Sequence, residues 1–199
     1  MKRFYSLFLG LFFLLTSAHG VFADKGPSVV FLNPGSEDDV FFGQMISFMH
    51  AAAKDLGMEF EVVHCNRSHI ELRKKGEEII DREHLPNYLL LINEKNGVAT
   101  LLPKASKKGV KVILFNEPLQ PEDKKQLKSP GEILPNWIME YLPNDRQAGY
   151  LLAKTLIEEV KKIQGNRRYE TLEMIAIAGN YMTGSSSKRV AGMREALKE

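Results

Sequence analysis

The sequence holds a single cysteine, Cys65, and a single tryptophan among 199 residues. A lone thiol excludes an internal disulfide, so the fold has to rest on its apolar core. No apolar run approaches the roughly 20 residues that span a bilayer. The longest, Phe4 to Leu15, has twelve and carries no cysteine at its end, which argues against both a membrane anchor and a lipid anchor. Low-complexity tracts are missing, and so is an excess of one charge: 27 Lys plus Arg face 25 Asp plus Glu. Lys2 and Arg3 precede the apolar run, and the small-residue site Val21-Phe22-Ala23 follows it. That is the order of a cleavable secretory signal over residues 1–23, cut after Ala23. Its removal takes two basic residues and no acidic one, leaving 25 of each sign. A neutral balance gives no support for nucleic-acid or anionic-membrane binding. The expectation is an exported, soluble protein.

Complete catalytic motifs are lacking too. "GNYMTGSSSK" has Gly179 and Gly184 at P-loop spacing, but Ser185 stands where the phosphate-binding lysine belongs. Ser185 and Lys188 form S-x-x-K without the S-D-N or K-T-G that accompany it in penicillin-recognising enzymes, and no G-x-S-x-G is present. His50, His64, His69 and His84 make no i,i+4 pair, and on a strand His64 and Cys65 point to opposite faces. Neither a metal nor a cofactor is expected, and Cys65 reads as a small buried hydrophobe. Only Glu37, Asp38 and Asp39, in an acidic loop, support the reading of an exported α/β hydrolytic enzyme, as acid and base.

What is present is an alternation of short apolar runs and amphipathic stretches. "SVVFLN" (Ser28–Asn33), "MEFEVVHC", "YLLLIN" (Tyr88–Asn93) and "VKVILFN" (Val110–Asn116) read as strands. Between them, Phe41, Met45, Phe48, Met49, Ala52 and Leu56 recur at helical spacing up to Gly57, "IELRKKGEEIIDRE" is a charged helix, and "VATLLPKASKKG" is a weaker one. Such repeated β–α units predict a parallel sheet covered by helices on both faces. Residues 117–134 carry three prolines and read as a long surface loop, followed by a strand in "PNWIMEYL". "NDRQAGYLLAKTLIEEVKKI" is a helix with Asn144 or Asp145 as N-cap. Leu172–Ala178 is a buried strand, and "SSSKRVAGMREALKE" a last helix capped by its serines. So apolar a strand calls for parallel neighbours, which the sequence does not supply. The chain is therefore expected to be the front portion of a longer protein.

Polar residues recur at one kind of place, the carboxyl end of each strand: Asn33, Cys65-Asn66, Asn93-Glu94, Asn116-Glu117 and Gly179-Asn180. Ligands of open parallel sheets bind beyond those ends, although asparagine is also an ordinary turn former. "SVVFLNP…FFGQM…AAAKDLG", "YLLLIN", "VKVILFNEP", "NDRQAGYLLAKTL" and "IAIAGNYMTGSSSKRVAGMREAL" together resemble the type 1 periplasmic binding proteins of the ribose- and galactose-binding kind. The resemblance implies two doubly wound parallel-sheet lobes joined by a hinge. An N-terminal lobe would cover residues 24–143, and residues 144–199 would begin a second, incomplete one. It implies no catalysis, but capture of a carbohydrate-like small molecule by a monomer that delivers it to the permease of an ABC transporter. The rival role is signalling to a membrane receptor kinase or chemoreceptor. By position in the family pattern, Phe41 and Phe42 match an aromatic pair that stacks on the sugar. Asn93 matches the amide at the third strand end, Asn116 and Glu117 the fourth-strand pair, and Arg189 the second-lobe arginine; Asn33 and Glu94, at their strand ends, and Asp145, at its helix start, complete the candidate ligand contacts. The chain departs from the family at the fourth strand, with Asn116-Glu117 in place of the common Asp-Arg, and in the longer, more acidic loop "NPGSEDDV".

Overall fold

The computed structural model describes residues 26–164, 173–181 and 183–199. The expected signal segment and its cleavage site lie outside the described residues. Five strands form one all-parallel sheet: β1 (Ser28–Asn33), β2 (Glu59–His64), β3 (Tyr88–Leu91), β4 (Lys111–Phe115) and β5 (Trp137–Tyr141), in the spatial order β2-β1-β3-β4-β5. The order reverses at β1, whose neighbours are β2 on one side and β3 on the other. A crevice opens at the carboxyl ends beside such a switch point.

Strand alternation sorts the core onto two faces. Val30, Leu32, Leu89, Leu91, Val112 and Leu114 point to one face, where helices α2 (His69–Ile80) and α3 (Leu101–Lys107) contribute Leu72, Ile79, Leu101 and Leu102. Phe31 and Ile92 point to the other, where α1 (Val40–Asp55) adds Phe42, with Met45, Ile46 and Met49 partly buried. The stripe of α1 is therefore not the expected one. Phe42 is buried, whereas Phe41, Phe48 and Leu56 are exposed. Both stripes are apolar, so periodicity cannot choose between them. The N-cap decides: the Asp39 carboxylate accepts from the N–H of Phe41 and Phe42 and fixes the helix start.

Two further expectations are corrected. Residues 117–134 are not structureless, since α4 (Pro121–Leu127) forms within them, with Pro121 at its start, Glu122 and Asp123 in the first turn and Lys124 and Lys125 in the last. The strand over Leu172–Ala178 does not form where it is described. Residues 173–180 have no regular structure, and Ile175 and Ile177 are almost fully exposed. Leu172 lies outside the described residues. Among the described residues no strand lies alongside to take its ladder hydrogen bonds, and an unpaired strand is not stable.

The last two helices, α5 (Asp145–Gln164) and α6 (Gly184–Ala196), pack on each other. Asn144 caps α5 by accepting from the Gln147 N–H at 3.2 Å. The serines of α6 do not cap it; that role falls to Glu117, described below. Among the described residues, no helix is long and apolar enough to cross a membrane.

Candidate functional site at the carboxyl edge of the sheet

The loops after β1, β2, β3 and β4 meet at one edge, and backbone hydrogen bonds join the first two. The Cys65 N–H donates to Asn33 O, the Asn66 N–H to Gly35 O and the Arg67 N–H to Pro34 O, at 2.7–3.1 Å. Asn33 is fully buried: its Oδ1 accepts from the Gly35 N–H at 3.0 Å, and its Nδ2 lies 2.9 Å from His64 Nδ1. Asn93 has the matching role at the end of the neighbouring strand β3. Its Nδ2 donates to Pro118 O at 2.8 Å and its Oδ1 accepts from the Val98 N–H, tying the β3 end to the loop after β4. Among the described residues, five of the six non-glycine residues with positive φ sit here, namely Asn66, Arg67, Lys95, Asn96 and Asn116. Left-handed backbone costs of order 1 kcal/mol per residue and concentrates where a site has to be shaped.

Arg67, which the sequence did not single out, crosses this edge. Its Nε and Nη2 donate to Asp39 Oδ2 at 3.0 and 2.6 Å, and its Nη1 lies 3.5 Å from Glu94 Oε2. Its guanidinium also covers the Phe42 ring, 4.8 Å from the centroid. Arg67 thus reaches from the β2 end over the β1 loop to the β3 end. The one available signal was its place directly after Cys65-Asn66, a strand end already marked as polar.

Burial by itself would raise the Asp39 carboxyl. The N–H of Phe42 and the Arg67 guanidinium outweigh it and hold that carboxyl below its ordinary value. Asp39 is therefore a helix cap and ion-pair partner, not a free acid. Asp38 accepts from the Ser36 hydroxyl at 2.6 Å. Of the aromatic pair, Phe41 exposes its ring and meets Phe42 edge-on, 5.0 Å between centroids. Phe42 is covered by Phe31 and Ile92 in the core and by Arg67 above.

Asn116 is half-buried and makes no side-chain hydrogen bond among the described residues. Glu117 beside it is 5% exposed, and its Oε1 accepts from the N–H of Gly184 and, at 3.3 Å, of Ser185. It closes the amino end of α6, where a negative charge is favoured. On the α5–α6 pair, buried Asp145 accepts from Arg189 Nε at 2.8 Å, while most of the Arg189 side chain remains exposed. Arg189 lines an open apolar trough of about 770 Å³ with Leu152, Leu156, Ile177 and Met193. Among the described residues no group of three His, Cys, Asp or Glu could hold a metal ion. Cys65 is fully buried, and burial pushes its thiol up to about 12.

The fold has counterparts among solved structures. A periplasmic sugar-binding protein from Pseudomonas fluorescens superposes with a TM-score of 0.72 and 28% identity, over 86% of this chain and 48% of that one. The chain has the type 1 periplasmic-binding-protein fold. An ABC transporter periplasmic solute-binding protein from Actinobacillus succinogenes 130z with bound D-allose has a TM-score of 0.69 at 17% identity, covering 86% and 55% of the two chains. A galactofuranose-binding protein has 0.67 at 15%, covering 86% and 52%. The chain thus spans about half the length of these periplasmic binding proteins. No protein-family model matches the sequence, and no curated protein matches it either.

Proposed function

We propose that this chain is the first lobe, and the start of the second, of an exported solute-binding protein that captures a sugar or polyol and delivers it to an ABC transporter. Residues 1–23 would direct export to the periplasm, the lobe boundary would fall near residue 144, and no reaction would be catalysed. The observation that carries this reading is the contact of Glu117 with Gly184 and Ser185. It joins the amino end of α6, the helix that carries Arg189, to the loop after β4 that bears Asn116. A sugar ring has an apolar C–H face and a rim of hydroxyls, so it needs a flat apolar partner and fixed donors and acceptors. Phe41 offers the first. Asn116 and the free end of the Arg189 fork offer the second.

Asn33 and Asn93 act mainly by holding these groups in place, since both atoms of each amide are already engaged, while Glu117 and Asp145 each commit one carboxylate oxygen to α6. The binding proteins of similar fold with D-allose and galactofuranose in their names support the ligand class. Calorimetric titration of the full chain with neutral pentoses, hexoses and their polyols tests the reading. Saturable binding without product, weakened in Arg189→Ala and Phe41→Ala, is expected. Turnover of a glycoside, or no binding by any of the panel, would overturn it.

A further inference from the structure

We propose that Arg67 and Glu94 form a diol-reading pair on the first-lobe wall, and that this pair selects a neutral polyhydroxy ligand over its acid. The inference rests on the binding role proposed above and adds a contact and a selectivity to it. One face of the Phe42 ring lies in the core against Phe31 and Ile92, and the Arg67 guanidinium covers the ring at 4.8 Å, so only 2% of the residue is exposed. A ligand approaching this wall therefore meets a guanidinium backed by an aromatic ring, not the ring itself. Stacking and the Asp39 contacts hold the guanidinium in one plane, which makes it a pre-organised donor.

A guanidinium has five N–H groups. Asp39 Oδ2 accepts one from Nε and one from Nη2. The remaining three include both on Nη1, which faces Glu94 Oε2 at 3.5 Å. That separation is too long for a good N–H···O bond. The Glu94 carboxylate makes no hydrogen bond among the described residues, and its side chain is 17% exposed. A donor and an acceptor so spaced suit two adjacent hydroxyls: one accepts from Nη1 and the other donates to Glu94. Arg67 has carboxylates on two sides, so its positive charge is already compensated. An anionic sugar would find no net attraction there and would face Glu94 directly.

The test is a titration of the full chain with D-allose, D-galactose and D-galacturonate, in wild type, Arg67→Lys and Glu94→Gln. Wild type is expected to favour a neutral sugar over the uronate by at least about tenfold, since an unpaired buried charge costs more than a lost neutral contact. Arg67→Lys keeps the charge beside Asp39 but loses the flat fork, and its affinity for the neutral sugar should fall about tenfold or more. Glu94→Gln should narrow the preference by improving the uronate relative to the neutral sugar. Thermal melts of both variants separate these effects from misfolding, and Glu94→Gln removes no core or capping contact. Neutral-sugar binding and selectivity unchanged in both variants would overturn the diol pair while leaving the binding role intact. A wild-type preference for galacturonate would overturn it as well. Absence of binding by all three sugars and by the wider panel would remove the binding role and the pair together.

Discussion

Glu117 caps a helix that begins 67 residues later, at Gly184. The carboxylate is buried and accepts from the first two free N–H groups of α6, while the Thr183 hydroxyl donates to Asn180 O instead. This contact joins the β4 end to the α5–α6 pair. Glu117→Ala would leave those N–H groups without a partner and remove the charge that suits the helix dipole. A loss of about 1–2 kcal/mol is expected. It is read from denaturant unfolding, together with faster amide exchange at residues 184–187. Unchanged exchange there would show that the cap is not made in solution.

The central sheet was legible because its strands carry the information locally. Runs such as "VVFL" and "YLLL" are apolar on both faces, which only a covered parallel sheet accommodates. The polar strand ends were legible for the same reason. Three things were not. The choice between Phe41 and Phe42 depended on the cap at Asp39, because both rings continue an apolar stripe. The α4 helix was hidden by its prolines, although Pro121 followed by two acids is a start signal. The Asp39–Arg67–Glu94 bridge joins residues from three loops, and no periodicity links them. Over residues 173–178 the expected strand is absent for a tertiary reason: apolarity gives a segment a tendency to pair, but among the described residues no neighbouring strand takes its ladder hydrogen bonds.

The glycines of "QAGYLL" and "RVAGMRE" mark where α5 and α6 touch. A Cβ on Gly192 would sit 1.8 Å from Arg146 O, and one on Gly149 would sit 2.0 Å from Arg189 O. Both obstacles are backbone, so neither can rotate away. In an exposed helix, Gly→Ala is stabilising by about 1 kcal/mol. Here the sign is expected to reverse, with Gly192→Ala destabilising by about 1–3 kcal/mol through overpacking. Chemical denaturation of Gly192→Ala decides the matter. A gain in stability would mean that the helices do not approach this closely.

Cys65 provides a readout of the integrity of the sheet's carboxyl edge. It is fully buried between the β2 end and α2, and its thiol is pushed up to about 12. The thiolate, which is the reactive form, is almost absent at neutral pH. A thiol-specific reagent should leave the native protein unmodified over minutes and label one thiol per chain after denaturation. Rapid labelling of native protein would contradict the packing of the β2 end.

Acid should weaken the fold through Asp39 in particular. Its folded carboxyl lies below the ordinary 3.8, so the folded state binds a proton less readily than the unfolded chain. A depressed carboxyl contributes stability that is complete above the unfolded value and is lost as pH falls through the folded one. Glu61, held below 4.5 chiefly by Arg82, acts in the same direction but is half exposed and screened. Stability is therefore expected to stay level from about pH 7 to pH 5 and to decline below about pH 4. Asp39→Asn separates the charge from the cap, because asparagine caps a helix as well as aspartate does. At neutral pH the variant should be less stable than wild type by about 1 kcal/mol, the loss of the Arg67 ion pair. That difference should shrink as the pH drops below 3.8, when wild-type Asp39 takes up its proton. Urea titrations at several pH values give both curves. A gap that is the same at pH 7 and at pH 3 would mean that the Asp39 charge adds nothing to stability and that Arg67 is held by Phe42 and Glu94 alone.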